Sequence, residues 1–340
     1  MTPCTCVVGA AMAVATVSLA IAGSACRSDL VVDGATNGLD LTALLGAWGT
    51  DGGLSGCDID GDGVVGGSDL TILLGAWGDC PTSPLPWAEI LQWNPPASIV
   101  TDPAIQSAVR SLDLPWLVRD WWAQIELVLV PPGSFLMGRS IGDQEGYSSE
   151  LPRHWVTLTT PFYMGRTEVT QEQWSRVMPF NPSQSASDPD AATRPVENLS
   201  WNLAQQFCMA TGMRFPTEAE WEYSCRAGTT GSRYGPLLDI AWYFDNAWQA
   251  TRPVGLQAPN ALGLHDSIGN VYEWVQDWYT PFTSDSVIDP TGAADGFDKV
   301  IRGGNHGSGS NMCRSSRRGT NSPAGASPGL GFRVARNALK

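Results

Sequence analysis

The chain has 340 residues, of which 43% are hydrophobic and 16% are charged, and its formal net charge is −14. A chain of this length can bury one large core and a smaller module. Its acidic balance leaves no extended basic face, which argues against a nucleic-acid partner. Its eight cysteines are too few for a fold held together mainly by disulfides, but they could form a few disulfide bonds in an oxidising compartment.

The N-terminal segment is typical of an export signal. Residues 1–25 contain no Lys, Arg, Asp or Glu, and most of them are small and apolar. Small residues at 23–25 suit signal-peptidase cleavage, so we expect a signal peptide over 1–25 and a secreted or cell-surface protein, periplasmic or extracellular. No later apolar run is long enough to cross a bilayer, so no transmembrane span is expected after signal removal. Whether Cys26 is lipidated stays open, because Gly23 is a poor match to a lipobox.

An internal repeat follows the signal segment. Residues 41–49 recur with one change as 70–78, and Trp48 and Trp77 fix the offset at 29 residues (77 − 48). Each copy extends backwards into an acidic loop. In the second copy, oxygen ligands have the spacing of an EF-hand-type calcium loop, and Gly63 permits the sharp bend. The predicted calcium ligands are Asp58, Asp60, Asp62, the carbonyl of Val64, and Asp69.

The first copy of the loop is less complete. It keeps Asp29, Asp33, Asn37 and Asp40, but Val31 stands where a ligand is needed. We therefore expect this loop to bind calcium weakly or not at all. The alternative, that both loops are acidic surface turns, stays open.

The duplicated loop and helix over residues 26–80 resembles a dockerin module. This resemblance implies a cohesin-like or cell-surface protein partner, whose identity stays open because the helices end in Gly-Ala-Trp-Gly instead of basic residues. The helix after the second loop should place Leu70, Leu73 and Leu74 on one apolar face. Cys57 and Cys80 flank the second copy, and a disulfide between them would staple its ends.

Residues 81–124 are rich in Pro, Ser and Asp and are predicted to form a linker with an ordered extension. A short helix is indicated over 103–112. Trp116, Trp121 and Trp122 should need a surface on which to pack.

A mixed α+β domain is predicted from residue 125 onward. Residues 126–130 favour a strand, and Thr170, Ser200 and Thr217 each suit the N-cap of a helix. After Gly228 the strand candidates are short and the loops long.

A series of short motifs then appears in a fixed order over residues 125–337. The motifs lie at 137–138, 168–170, 194–196, 216–221, 269–270, 273–274, 302–304 and 331–333. In this order they resemble the formylglycine-generating enzyme (sulfatase-modifying factor) family. The resemblance implies a loop-rich C-type-lectin-like fold over 125–340.

The same resemblance implies a structural calcium site in the large domain. Asp266 and Glu273 would supply carboxylate oxygens, and Gly269 and Val271 main-chain carbonyls. The alternative is a surface turn in which Glu273 pairs with an arginine.

The family's active site is expected to be incomplete. Its enzymes oxidise a sulfatase cysteine with copper held by two cysteines, because Cu(I) prefers sulfur ligands. Here Ser308 stands at the first cysteine position, and no residue matches the second. The resemblance further implies a Cys225–Cys313 disulfide and leaves Cys208 as a buried free thiol.

Three hypotheses follow. The first is a secreted, calcium-stabilised binding module that has lost the copper-binding pair and is anchored through its dockerin-like repeat. The second is an active formylglycine-generating oxidase or related oxygenase acting on sulfatase cysteine, which would require copper. The third is a structural cell-surface component in which the repeat carries the function.

Overall fold

The computed structural model describes residues 30, 35–50, 57–59, 63–79 and 85–338. Its N-terminal part is a small module made from the sequence repeat. Two short antiparallel strands pair beside two helices, and Leu44 and Leu73 lie at the centre of a separate core with Cys57. The elements are β1 (Ala35–Thr36), α1 (Gly38–Gly46), α2 (Gly67–Gly75) and β2 (Gly78–Asp79).

The repeat produces the same helix cap twice. The Asn37 N–H donates to Asp40 Oδ2 at 2.8 Å, and the Gly66 N–H donates to Asp69 Oδ2 at 2.7 Å. Each carboxylate therefore satisfies a main-chain donor at the start of its helix, as a capping box does.

The apolar face predicted for α2 is narrower than expected. Leu73 is fully buried, but Leu74 is 52% exposed, so the prediction was wrong for Leu74. In a two-helix module each helix covers the shared core along one row of side chains, and successive residues point about 100° apart.

The large domain contains three sheets. Its main sheet is antiparallel, with strand order β14-β8-β5-β4-β3: β3 (Ala88–Gln92), β4 (Leu117–Asp120), β5 (Glu126–Val130), β8 (Phe162–Gly165) and β14 (Ala335–Asn337). A second has the order β10-β7-β6: β6 (Gly133–Met137), β7 (His154–Leu158) and β10 (Val287–Ile288). The third has the order β12-β11-β9-β13: β9 (Tyr272–Trp278), β11 (Lys299–Arg302), β12 (Arg318–Asn321) and β13 (Leu330–Phe332).

The predicted helix caps are confirmed. Thr170, Ser200 and Thr217 each accept a hydrogen bond from a main-chain N–H three residues on. Gly212 ends the helix after Ser200 in the left-handed conformation, with φ +67°. The helices are α3 (Pro103–Arg110), α4 (Gln171–Val177), α5 (Trp201–Thr211), α6 (Glu218–Arg226) and α7 (Leu237–Ile240).

The segment predicted to be a linker forms more structure than expected. Its strands β3 and β4 extend the main sheet, with β4 pairing directly with β5. Trp116 is fully buried in the large core. Trp121 and Trp122 are 44% and 55% exposed, so the expectation that both would be packed was wrong.

One continuous apolar core connects the sheets and helices of the large domain. At its centre Trp174 stacks on Phe207 at 5.4 Å, and both rings meet Phe332 edge-on. At the edge of this core Lys299 Nζ lies 4.2 Å from the ring centroid of Trp201 and 3.8 Å from that of Trp278. Among the described residues there is no helix with the length and apolar character needed to cross a membrane.

The β3–β4 pair should be required for folding of the large domain. A chain beginning at residue 122 would expose the edge of β5 and lose Trp116, whose removal alone typically costs about 3–5 kcal/mol. We expect it to lack a cooperative thermal transition in near-UV circular dichroism, whereas a chain beginning at residue 85 keeps one. Equal melting of the two chains would contradict this role.

Candidate functional site

Helix α6 carries a row of charged side chains into the protein interior. Glu218, Glu222 and Arg226 are spaced by four residues and therefore lie on one face of the helix. Glu222 is fully buried and binds both Arg226, at 2.8 Å, and Arg302. Glu218 accepts two hydrogen bonds from Arg318, at 2.7 and 2.8 Å, and one from Arg302. These contacts link α6 to strands β11 and β12.

A second buried ion pair connects strand β9 to the end of β13. Arg333 donates to both carboxylate oxygens of Glu273, at 2.6 and 2.7 Å, and Trp221 Nε1 donates to one of them at 2.7 Å. Glu273 therefore belongs to the same framework as α6, because Trp221 lies on that helix.

The predicted calcium ligands of the large domain fit a metal ion only in part. Asp266 Oδ1 is buried and has no hydrogen-bond partner in the described part of the chain, which suits a cation. Glu273, however, has both oxygens engaged by Arg333 and Trp221. The geometry favours the alternative in which Glu273 pairs with an arginine, although the pair is buried and not on a surface turn. Gly269 at φ +89° packs against the main chain of Trp242, where a Cβ would clash at 2.4 Å.

An acid from the motif at 168–170, which the sequence did not predict as a ligand, lies beside Asp266. Glu168 is fully buried and accepts from Asn270 Nδ2 at 2.7 Å and from the Val271 N–H at 3.1 Å. Burial, followed by the charges of Asp266 and Glu273, raises the pKa of Glu168 well above its ordinary value. Burial likewise raises the pKa of Asp266 to about 6. Protonation thus relieves part of the repulsion among these three acids.

The loop after Gly304 is held by local hydrogen bonds. Gly303 and Gly304 have φ +92° and +79°, and they turn the chain away from Arg302. Ser308 Oγ donates to Asn305 Oδ1 at 2.9 Å and accepts from the Asn305 N–H at 3.0 Å. Two contacts of the hydroxyl therefore lie within its own loop, and the side chain of Tyr272 on β9 also interacts with it.

Copper held by two thiolates does not fit this loop. No cysteine lies between Gly304 and Cys313, and a hydroxyl such as that of Ser308 is a poor ligand for Cu(I). Cys313 is fully buried, and burial raises the pKa of its thiol to about 12. Thiolate, the form that binds metal, is therefore disfavoured at Cys313.

The predicted Cys225–Cys313 disulfide is absent, because both residues are buried free thiols. The Cys225 thiol donates to Ser315 Oγ at 3.5 Å, whereas the Cys313 thiol packs against Gly304. Burial raises the pKa of Cys225 to about 12 as well, which disfavours the thiolate needed for disulfide exchange. Cys208 is a buried free thiol, as predicted.

A polar cavity of 260 Å³ lies beside the loop that carries Ser308. Glu197 is 1% exposed, and its Oε1 accepts from the Ser185 main chain and hydroxyl at 3.0 and 3.2 Å. Its Oε2 is buried without a hydrogen-bond partner among the described residues, and so is Thr251 Oγ1. The wall also includes His306 and Arg194. Sequence reasoning missed this cavity because its residues come from four distant segments that share no spacing pattern.

The three histidines do not form a metal centre. Nδ1 of each contacts a main-chain carbonyl: His154 that of Pro152, His265 that of Gln257 and His306 that of Asn270. In the part of the chain that the structure describes, no three His, Cys, Asp or Glu side chains are grouped to hold a metal ion.

The second calcium loop of the small module is described only in part. Asp58 Oδ2 accepts from the Gly63 N–H at 3.0 Å, and Gly63 has φ +93°, as a tightly bent loop requires. Asp69 Oδ1 accepts from the Ile59 N–H at 2.6 Å, which draws the two ends of the loop together. The side chain of Val64 is 52% exposed. Asp60 and Asp62 lie outside the described residues.

Of the other predicted residues of the small module, some belong to the described part of the chain and some do not. Asn37 caps α1 through its Oδ1, which accepts from the Leu39 N–H at 2.8 Å. Cys57 is buried, and its thiol donates to the carbonyl of Ala43 at 3.6 Å. The remaining predicted residues, Asp29, Asp33 and Cys80, lie outside the described residues, as do the signal peptide and Cys26.

The fold and the site together define a loop-rich, C-type-lectin-like α+β domain built on buried arginine–carboxylate pairs. Residues 122–338 match the family described as "Sulfatase-modifying factor enzyme 1-like domain", and the chain belongs to this family. The match does not reach the repeat at 26–80.

Individual relatives agree with this assignment. The formylglycine-generating enzyme of Streptomyces coelicolor is 30% identical over 280 residues, which is 62% of this chain and 89% of the relative. The serine/threonine-protein kinase pkn1 of Chlamydia pneumoniae is 33% identical over 239 residues, which is 62% of this chain but only 38% of the kinase. The structure of Treponema denticola variable protein 1 superposes with a TM-score of 0.58 at 29% identity, covering 63% of this chain and 95% of that one.

The buried ion pairs of α6 should dominate the stability of the domain. Glu222→Gln would leave Arg302 buried with its charge only partly compensated, and breaking such a pair typically costs about 3–5 kcal/mol. Glu172→Gln is the matched control, because Glu172 forms an exposed pair with Arg176 on α4 that is worth about 0–1 kcal/mol. The free energy of unfolding from urea titration measures both. Equal effects would contradict the proposed importance of Glu222.

Proposed function

We propose that this chain is a non-catalytic binding module of the sulfatase-modifying factor family. It is exported to the periplasm or the cell exterior, and its dockerin-like repeat anchors it to a cohesin-like or cell-surface partner. The large domain binds its ligand through the loop after Gly304 and the adjoining polar cavity.

The observation that carries this proposal is the chemistry of the loop after Gly304. Where the family's enzymes need a thiolate, this chain has Ser308, whose hydroxyl is bound to Asn305. The next cysteine, Cys313, is fully buried and its thiol is held in the protonated form. A hydroxyl cannot replace a soft, redox-active sulfur ligand.

The framework around the loop supports a retained binding role. The pairs made by Arg302 and Arg333 are complete, so the loop keeps a rigid support after losing the thiols. Beside it, Glu197 and Thr251 present buried polar atoms to a cavity. Such atoms are costly to bury unless something binds them. The relatives are also not all named as formylglycine-generating enzymes, since one is named as a protein kinase.

Calcium stabilisation of the small module is part of the same proposal. The tight bend at Gly63 and the carboxylate of Asp58 at the start of the loop suit a hard cation that takes oxygen ligands, while Asp69 closes the loop by accepting two main-chain N–H groups. Bound calcium would neutralise the acidic loop and hold α2 against α1.

A peptide assay tests the loss of oxidase activity. A Cys-x-Pro-x-Arg peptide incubated with the protein, oxygen and Cu(I) should keep its mass, because no thiolate pair is available to hold copper. The Streptomyces coelicolor relative serves as the positive control. Exchange of one sulfur and two hydrogens for one oxygen, seen by mass spectrometry, would establish the oxidase alternative. Stoichiometric, tight Cu(I) binding in reducing buffer would also count against the proposal.

A calcium titration tests the small module. Calcium should raise the free energy of unfolding of the wild-type module by about 2.7 kcal/mol at a hundred times its Kd, and a chelator should reverse the gain. Asp58→Ala should abolish the shift, whereas Asp33→Ala, in the incomplete first loop, should leave most of it. A wild-type protein that does not respond, or an Asp58→Ala variant that responds fully, would refute calcium binding in the second loop.

A further inference from the structure

A cavity of 660 Å³ opens between the β6–β7 hairpin and the C-terminal end of α6. It lies apart from the loop that carries Ser308 and from the cavity at Glu197, and shares no lining residue with the latter. Most of its wall is aliphatic or aromatic. Its apolar lining includes Ile105, Phe135, Leu136, Trp155, Tyr223 and Leu262.

One wall of this cavity comes from outside the matched family domain. Ile105 belongs to α3, which precedes the family match at residues 122–338. Helix α3 lies close to the turn that follows α6, where a Cβ built on Gly228 would lie 3.8 Å from Ile105 Cδ1. The N-terminal extension therefore completes a cavity that the family domain alone would leave open on this side.

The cavity also contains a cation that the protein itself does not neutralise. Arg153 makes no hydrogen bond or ion pair with any residue that the structure describes, and its Nε is buried without a partner. The neighbouring Arg226 differs, because it is paired with Glu222 and donates to the carbonyls of Gly138 and Gly231. Burial and then the charge of Arg226 lower the pKa of Arg153, and the charge of Glu222 offsets this only in part.

The mouth of the cavity exposes apolar groups to solvent. Trp155 is 54% exposed and Ile141 is 88% exposed, and both line the cavity. Large apolar side chains gathered around a concave surface are typical of a ligand site. Because the wall of this cavity is mostly apolar and the guanidinium of Arg153 is unpaired, the cavity suits a ligand that has an apolar body and a single negative charge.

We propose that this cavity binds a small apolar carboxylate, with the carboxylate on Arg153 and the hydrocarbon part against Phe135, Leu136 and Trp155. A carboxylate matches the planar fork of a guanidinium and forms paired hydrogen bonds with it. A phosphate monoester would carry nearly two charges, and the only other lining cation, Arg226, already donates to Glu222 and to the carbonyls of Gly138 and Gly231. At about 30 Å³ per water molecule, the cavity holds the volume of about twenty waters, which is enough for a chain or ring of about eight to ten carbons.

Calorimetric titration with matched acids and alcohols tests this inference on the full chain. Octanoate and 1-octanol form an aliphatic pair, and 3-phenylpropanoate and 3-phenylpropanol an aromatic pair. At least one acid should bind about tenfold more tightly than its alcohol, because a hydrogen-bonded charge pair adds to the apolar contact. Whichever acid binds more tightly shows whether the cavity prefers a ligand with an aliphatic or an aromatic body. If neither acid binds more tightly than its alcohol, the inference fails.

Variants assign the effect to this cavity. R153Q should reduce acid affinity to the level of the alcohol and leave the alcohol unchanged, whereas R176Q, on exposed Arg176 of α4, should change neither. I141D places a negative charge at the exposed mouth and should weaken the acid several-fold more than the alcohol, which keeps the test valid if R153Q does not fold. Acid binding that survives both R153Q and I141D would overturn the proposal.

Discussion

The fold of the large domain depends on a buried arginine, Arg302, which joins helix α6 to the third sheet. Its guanidinium is fully buried between Glu218 and Glu222 and donates to two main-chain carbonyls beyond them. A charge so far from water is tolerable only when nearly every donor is satisfied, because an uncompensated buried ion costs several kcal/mol. The planar fork of arginine meets that demand, and a lysine would not. The motifs at 216–221, 302–304 and 331–333 are thus the components of one ionic framework.

This framework separates the fold from the chemistry of the loop it supports. Arg302, Gly303 and Gly304 fix where the loop begins, and none of the ion pairs involves a side chain from 305–312. The loop can therefore exchange thiols for hydroxyls without weakening the core. A member of this family that has lost its copper ligands would keep the complete fold signature, and the signature alone does not establish oxidase activity.

The sequence predicted local structure well where local chemistry determines it. The caps at Thr170, Ser200 and Thr217 depend on neighbouring residues only, and each helix begins where expected. The residues 88–120 were harder to interpret, because whether a strand joins a sheet depends on distant partners. The Cys225–Cys313 disulfide was wrongly predicted for a similar reason, because which groups two cysteines contact depends on distant parts of the chain. The Cys225 thiol contacts Ser315, and the Cys313 thiol contacts Gly304.

The site was predictable only where a family motif marks it. Ser308 was placed by its distance from 302–304, and Asp266 by the spacing of a turn. No motif points to the roles of Glu197 and Arg153. Each was recognised because it has a buried polar atom that makes no hydrogen bond within the described structure. Glu273 shows the opposite case, in which a carboxylate with the spacing of a metal ligand is taken by Arg333.

The position of Lys299 has a consequence for covalent chemistry. Lys299 and Lys340 are the only lysines of the chain. Burial lowers the pKa of Lys299 to about 8, which by itself would make its amine a better nucleophile. The rings of Trp201 and Trp278 cover that amine, however, and only 3% of the residue is exposed. Between residues 85 and 338 the folded protein thus offers no accessible lysine to acylating reagents, aldehydes or lysine-specific proteases.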